Sequence, residues 1–248
     1  MNGKGTAVAL KSLKFAGFKA IGNRYMRNYW KVVVAVCVWV ISLGLAGCGN
    51  NEPVNKALLD GIMARKNNPW NLHSVDSAVQ LLHSGDIVMR TGNDATSYML
   101  CQLNTKDKTY SHCGIVMVEN GYPFVYHSIG GEANPDARLR RDSANFWFSP
   151  ANNLAFGIAR LDMPAGSDTA LHRVVRGFYK ERKKFDMDFD IATDDRFYCA
   201  EMVYKSVNQA VGDSSFLQPI SFLGYTFVGI DDIFLSRHAR GICQIRFK

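Results

Sequence analysis

The chain has 248 residues, 47% of them hydrophobic, which is enough for one well-cored domain and too apolar for a disordered one. Its formal net charge of +7 would suit a nucleic-acid binder if it were spread over the fold. Residues 1–47 hold seven basic side chains (Lys4, Lys11, Lys14, Lys19, Arg24, Arg27 and Lys31) and no acidic ones, so 29 less 7 leaves 22 Lys and Arg against 22 Asp and Glu in the rest, and no nucleic-acid partner is expected.

After Lys31 the uncharged run VVVAVCVWVISLGLAG leads to Cys48. Its 16 residues fall short of the roughly 20 that a membrane-spanning helix needs. Basic region, short apolar region and small residues before a cut site together describe a secretory signal. The last four, Leu45-Ala46-Gly47-Cys48, resemble the lipobox of bacterial lipoproteins. That resemblance implies cleavage before Cys48, lipidation of Cys48, and a chain tied by its lipid to a membrane of the bacterial cell envelope, on the periplasmic or outer-surface side. Residues 1–47 are then a signal peptide, 48–55 the lipidated cysteine with a flexible tether, and 56–248 the working domain. Met26, just before Arg27, is the expected true start, because it leaves a signal of ordinary length. In that compartment disulfides among Cys101, Cys113, Cys199 and Cys243 are permissible.

In chain order, residues 54–66 and 74–83 are expected to be helices, the second capped by Ser74 or Asp76. HSGDIVMR turns at Ser-Gly into a short strand, and TSYMLCQL is a short helix with Thr96 as its N-cap. SHCGIVMV and YPFVYHSI are strand-like runs joined by Glu119-Asn120-Gly121, where Asn-Gly signals a tight hairpin. NLAFGIARL is a further strand. SDTALHRVVRGFYKERKKF is a helix capped by Ser167, and FYCAEMVYKSVNQAV is a second long one preceded by the capping candidates Asp194 and Asp195. A short helix near Asp231 and a strand, ICQIRF, close the chain. The pattern is that of one α+β unit, an antiparallel sheet with helices packed against it.

Two of these elements carry chemistry. With Asn120 and Gly121 central in the hairpin, His112 opposes Ile129 and His127 opposes Gly114. Alternation then places His112, Gly114, Val116, Val125, His127 and Ile129 on one face. The histidines are diagonal neighbours, about 7–8 Å apart at the backbone, and Gly114 adds no bulk beneath His127. In the later helix, Cys199 opens an apolar stripe that continues through Met202, Val203, Ser206, Val207, Ala210 and Val211. A thiol in the first helical turn feels the positive end of the helix dipole, which favours the thiolate. If that helix packs on the histidine face, Cys199 meets His112 with His127 behind it, which is the order of nucleophile, base and orienting group. Free N–H groups at the same helix end suit an oxyanion hole.

The segments SHCGIV, YHSIG fifteen residues after the first histidine, and FDMDF…DRFYCAEMVYKS resemble the permuted papain-like cysteine amidases of the YiiX/YaeF type, relatives of the NlpC-type wall peptidases. The resemblance covers roughly residues 80–210, and GDIVMR looks like that family's opening strand. It implies a circularly permuted papain-like (NlpC-type) α+β fold in which the histidine strands precede the cysteine helix, with Cys199 as nucleophile and His112 as base. Members usually carry a carboxylate or other polar group where this chain has His127, and a neutral imidazole holds His112⁺ less firmly than a carboxylate would.

The expected activity is hydrolysis of an amide bond, in a short or cell-wall-derived peptide, through a Cys199 thioester. Two alternatives stand beside it: a lipid acyltransferase or thioesterase on the same fold, and a non-catalytic envelope binding protein, motivated by the missing carboxylate. No cofactor is expected. Zinc on His112, His127 and Cys199 suits the ligand types, but no C-x-x-C or H-x-x-x-H pairing supports it. Asp186, Asp188 and Asp190 open like a calcium loop, yet Ile191 and Phe197 stand where Gly and Glu belong, so these aspartates are expected to shape the approach to the cysteine helix. Cys113 points away from His112 and reads as core, and Glu201 as a charge favoured at a helix N-terminus.

Overall fold

A computed structural model describes residues 52–131, 134–222 and 225–248. Asn55–Ile220 and Thr226–Lys248 make one compact unit. The expected signal peptide, the Met26 start, Cys48 and the first part of its tether all lie outside the described residues.

Helix α1 (Glu52–Asn67) opens the described chain, with Glu52–Asn55 of the expected tether as its first residues. Helix α2 (Pro69–Gln80) starts well before Ser74, because Asn68 caps it through Oδ1 to the Trp70 N–H and Pro69 takes the first helical position, where its missing N–H costs nothing. Ser74 is instead mid-helix, donating back to the Trp70 carbonyl. Strand β1 (Ile87–Gly92) and helix α3 (Ala95–Cys101) follow, the latter capped by Asp94 and not by Thr96.

The hairpin forms as its turn demands. β2 (His112–Glu119) and β3 (Tyr122–His127) pair antiparallel with Ile115 opposite Tyr126 and Val116 opposite Val125. Asn120 and Gly121 both have positive φ, 51° and 82°, which is what a two-residue turn matched to strand twist requires. β4 (Arg140–Ser143) and helix α4 (Ala144–Trp147) come next, then β5 (Asn153–Leu161) and helix α5 (Ser167–Lys180). Two-residue strands β6 (Lys184–Phe185) and β7 (Arg196–Phe197) pair parallel ahead of helix α6 (Cys199–Val211). β8 (Ile220–Phe222), β9 (Tyr225–Phe227), helix α7 (Ile230–Phe234) and β10 (Ala239–Arg246) complete the chain.

The main sheet has the order β10-β5-β1-β2-β3-β4 and is antiparallel throughout. Both faces are covered. Ile87, Met89, Cys113, Ile115, Met117 and Tyr126 pack under α5 and α6 through Leu171, Val175, Met202, Val203 and Val207. Val88, Val116, Val125, Phe156 and Ile158 pack under α2, α4 and Phe148 through Val75, Ala78 and Trp147. The cysteine helix therefore sits on the Cys113 face, opposite to the face that carries His112, Gly114 and His127. The reason is apolar area: Cys113, Ile115 and Met117 present a continuous greasy row to the stripe of α6, whereas the histidine row carries polar rings.

Two ion pairs hold the strands that matter. Asp86, just before β1, accepts twice from Arg160 of β5, at 2.6 and 2.8 Å. Glu119 accepts from Tyr126 Oη at 2.6 Å and from Arg141 Nε at 3.0 Å, tying β2, β3 and β4 together.

Gly114 is required by contact. A Cβ there would stand 2.7 Å from Val125 Cγ1, 2.8 Å from the Tyr126 carbonyl and 3.0 Å from His127 Cβ. Gly114→Ala should therefore destabilise the domain by about 1–3 kcal/mol through overpacking, read as a lowered urea midpoint with unchanged slope. A midpoint equal to wild type would contradict this packing.

Candidate active site

The site is built on the end of the hairpin. His112 Nε2 and His127 Nδ1 are 2.9 Å apart, and His127 Nε2 lies 3.0 Å from Asp142 Oδ2. The geometry sets the tautomers. An ionised Asp142 requires the proton on His127 Nε2, so His127 Nδ1 accepts and His112 Nε2–H donates to it. His112 Nδ1 then carries a lone pair with no donor among the described residues. The two histidines come together as the hairpin register requires.

Asp142 is the residue that the sequence reading missed. It lies on β4 opposite Val125, and so on the histidine face. The carboxylate absent at position 127 is thus supplied one strand further along. Burial pushes Asp142 up, but the hydrogen bond and charge of His127, together with Arg140 at 3.1 Å, outweigh it and hold the carboxyl below its ordinary value. Trp147 of α4 roofs the pair, with its ring centroid 5.1 Å from His112 and 4.8 Å from His127. Arg90 of β1, opposite His112 in register, stacks its guanidinium 4.6 Å from the Trp147 centroid.

Cys199 is placed differently from the simple expectation. Pairing between β2 and β3 stops at Ile115 and Tyr126, so Cys113 has no partner on the β3 side. Cys199 lies against that notch, where the Cys113 thiol and the backbone N–H groups of Cys113, Ala200 and Cys199 itself act on its sulfur in favour of the thiolate. Ser128 Oγ, where β3 departs, donates to the Phe197 carbonyl at 2.6 Å and pins the approach to α6. Cys199 thus touches β2 one residue from His112. Among the described residues no hydrogen bond joins the two. Cys113, read from sequence as core filling, is buried on its own face as expected, yet it is also the thiol that faces Cys199. All four cysteines of the described residues are free thiols.

The electrostatics separate the two thiols. The Cys113 hydrogen bond, followed by the backbone donors, outweighs burial and draws Cys199 below the usual thiol value, while burial first and then Cys199 push Cys113 well above it. Burial holds His112 well below the ordinary imidazole value, helped by His127 and Arg90. His127 is also lowered by burial, against the opposing pull of Asp142.

Around α6 the caps differ from expectation. Tyr198 is the N-cap, and its N–H donates to Glu201 Oε2 at 3.2 Å. Asp194 pairs instead with Lys205 at 2.6 Å, and Asp195 with Arg196 at 3.2 Å. Glu201 is fully buried beside Lys205, and burial raises its carboxyl to about 8. Asp186 accepts N–H bonds from Asp188 and Asp190 at 2.9 and 2.7 Å, shaping the loop before the helix as expected.

No family model matches the chain, and no curated protein matches it. The fold is α+β, a six-stranded antiparallel sheet covered by helices, and it is YiiX-like. Among solved structures the chain is similar to the metalloprotein YiiX of Escherichia coli O157:H7, at 19% identity and a TM-score of 0.54, over 66% of this chain and 98% of that one. At that identity the likeness is one of fold.

The buried histidines tie stability to pH. Because both fold with lowered pKa values, the unfolded chain binds more protons than the native one once the pH falls below about 6.5, and stability falls with it. Asp142, also lowered, adds its loss only near and below about 4. Urea unfolding between pH 7 and 5 should show a slope of up to about 1.4 kcal/mol per pH unit for each histidine, reduced in His112→Asn. A flat profile in wild type would mean that the histidines are solvated.

Proposed function

We propose that the chain is a cysteine hydrolase that cleaves an amide bond through a thioester at Cys199, in a circularly permuted papain-like domain whose histidine strands precede its cysteine helix. The observation that carries the reading is the notch between β2 and β3. There a thiol drawn below its usual value, at the head of a 13-residue helix, lies one residue along the strand from a histidine whose Nδ1 has no partner among the described residues. His112 leads into the opposite face, but the sheet has no strand across the notch to separate the two. Catalytic hydrogen bonds are commonly long or unmade before substrate binds and tighten in the complex.

In the proposed reaction His112 Nδ1 takes the Cys199 proton as the thiolate attacks the carbonyl. The Cys199 and Ala200 N–H groups, no longer needed by the sulfur, turn to the oxyanion. His112⁺ returns its proton to the leaving amine, and water then hydrolyses the thioester. His127 holds His112 in the productive tautomer, and Asp142 stabilises the charge that develops on the pair. That carboxylate removes the motive for a binding-only reading. The substrate class is a short or wall-derived peptide, met at a membrane to which Cys48 ties the chain by its lipid.

A metal reading fits the residues poorly, although the YiiX neighbour is described as a metalloprotein. Among the described residues no three His, Cys, Asp or Glu side chains are arranged to hold an ion. The histidines spend their facing nitrogens on each other, and Asp142 takes the third.

Two measurements test this proposal. Iodoacetamide should modify Cys199 faster than Cys101, Cys113 or Cys243 at about pH 7, as mapped by mass spectrometry. Turnover of an N-acyl dipeptide amide panel should vanish in Cys199→Ala and fall about 10²–10⁴-fold in His112→Ala. Cys199 labelling no faster than the buried thiols, with no acyl adduct at Cys199 from any substrate, would sink the hydrolase. Separately, a labelled fatty acid fed to a bacterial host should be incorporated by the wild-type chain and not by Cys48→Ala; equal labelling of both would remove the anchor.

A further inference from the structure

Around Trp147 the hydrogen-bond donors outnumber the acceptors. On the histidine face the strands present Arg90 on β1, His112 on β2, His127 on β3 and Arg140 on β4, with Arg90 opposite His112 and Arg140 opposite His127. Arg140 is neutralised by Asp142 at 3.1 Å, and the other oxygen of Asp142 is taken by His127. Arg90 has no such partner. Its guanidinium stacks on Trp147, and among the described residues it donates no hydrogen bond and forms no ion pair. Asp94, the other carboxylate whose charge Arg90 feels, is committed to Ser97 through both oxygens. The Trp147 indole N–H is buried and also finds no acceptor. Arg90 is half-buried, and its N–H groups, which have no acceptor among the described residues, are open to an anionic ligand.

We propose that Arg90 is a specificity-determining residue that binds a free carboxylate on the substrate, so the amide cleaved belongs to an acidic acyl-peptide. The inference rests on the hydrolase reading and deepens it by naming the substrate class. A planar fork held over an indole, with its guanidinium carbon 4.6 Å from the ring centroid, is limited in its freedom and suited to bidentate carboxylate binding. Its place opposite His112 in register, within the electrostatic reach of Cys199, puts the bound carboxylate on the histidine side of the site. A lysine, as a point charge without the fork, would replace it only in part.

The test separates binding from chemistry. In the Cys199→Ala protein, Kd values are measured calorimetrically for N-acetyl dipeptides as free acids and as the matched carboxamides. The free acids are expected to bind about 10- to 100-fold more tightly. Arg90→Gln in that background should abolish the preference while leaving carboxamide binding unchanged, and Arg90→Lys, which keeps the charge if Gln disturbs the fold, should retain an intermediate preference. Equal binding of acids and carboxamides, no binding of the acids, or a preference that survives both substitutions would overturn the proposal. Acylation of Cys199 in the wild-type protein reports on the hydrolase reading independently: a carboxylate preference without any acylation would sink the hydrolase and leave Arg90 as a binding residue.

Discussion

The register of the β2–β3 hairpin is the constraint on which the rest depends. Asn120 and Gly121 accept positive φ at little cost, and the two-residue turn they form allows one alignment of the strands. Side chains alternate with a period of two, so a slip of one residue would send His112 and His127 to opposite faces. Gly114 completes the arrangement, because any side chain there would occupy the space that His127 uses. One short turn thus decides that two imidazoles share a face, while the residues between them, Cys113 and Ile115, go to the other.

From that register the polar row extends across the sheet. Glu119 bonds both Tyr126 and Arg141, so β4 is held against β3 in one alignment, and that alignment brings Asp142 to His127. Trp147, in the helix that follows β4 directly, closes over the two imidazoles, which are buried. Desolvation keeps both rings neutral, and the Asp142 carboxylate then orients their protons. Burial and orientation have one source, since β4 and α4 are consecutive in the chain and arrive together.

The thiol is governed by a different feature, the early end of the β2–β3 pairing. Where β3 turns away after His127, β2 keeps an amide with no strand to receive it, and α6 begins there. A sulfur at a helix head, beside a sheet amide and a neighbouring thiol, is drawn toward the thiolate without a formal cation touching it. The buried imidazole pair and the lowered Cys199 thiol thus come from two independent devices, one on each side of the same sheet.

Much of this was legible from sequence alone. The hairpin, its register, the shared histidine face, the role of Gly114, the helix headed by Cys199 and the antiparallel α+β architecture all follow from rules that act over a few residues: turn chemistry, period-two alternation and period-3.6 stripes. Other features were not, and three of them bear on the site and its surroundings. Asp142 stands in RRDS, four polar residues with no alternation, and only pairing with β3 makes them a strand. The start of α2 was misplaced because Asn68-Pro69 caps earlier than Ser74. The face chosen by α6 was misassigned because both faces of β2 are apolar enough to receive a helix, and the choice rests on the summed area of strands β1 to β3. Sequence by itself determined which groups are present and which neighbours along a strand share a side, because those depend on local backbone geometry. Only the tertiary structure decided that Asp142 completes the histidines, that Cys113 faces Cys199 and that Arg90 is left without a partner, because each depends on how distant segments divide the space around one sheet.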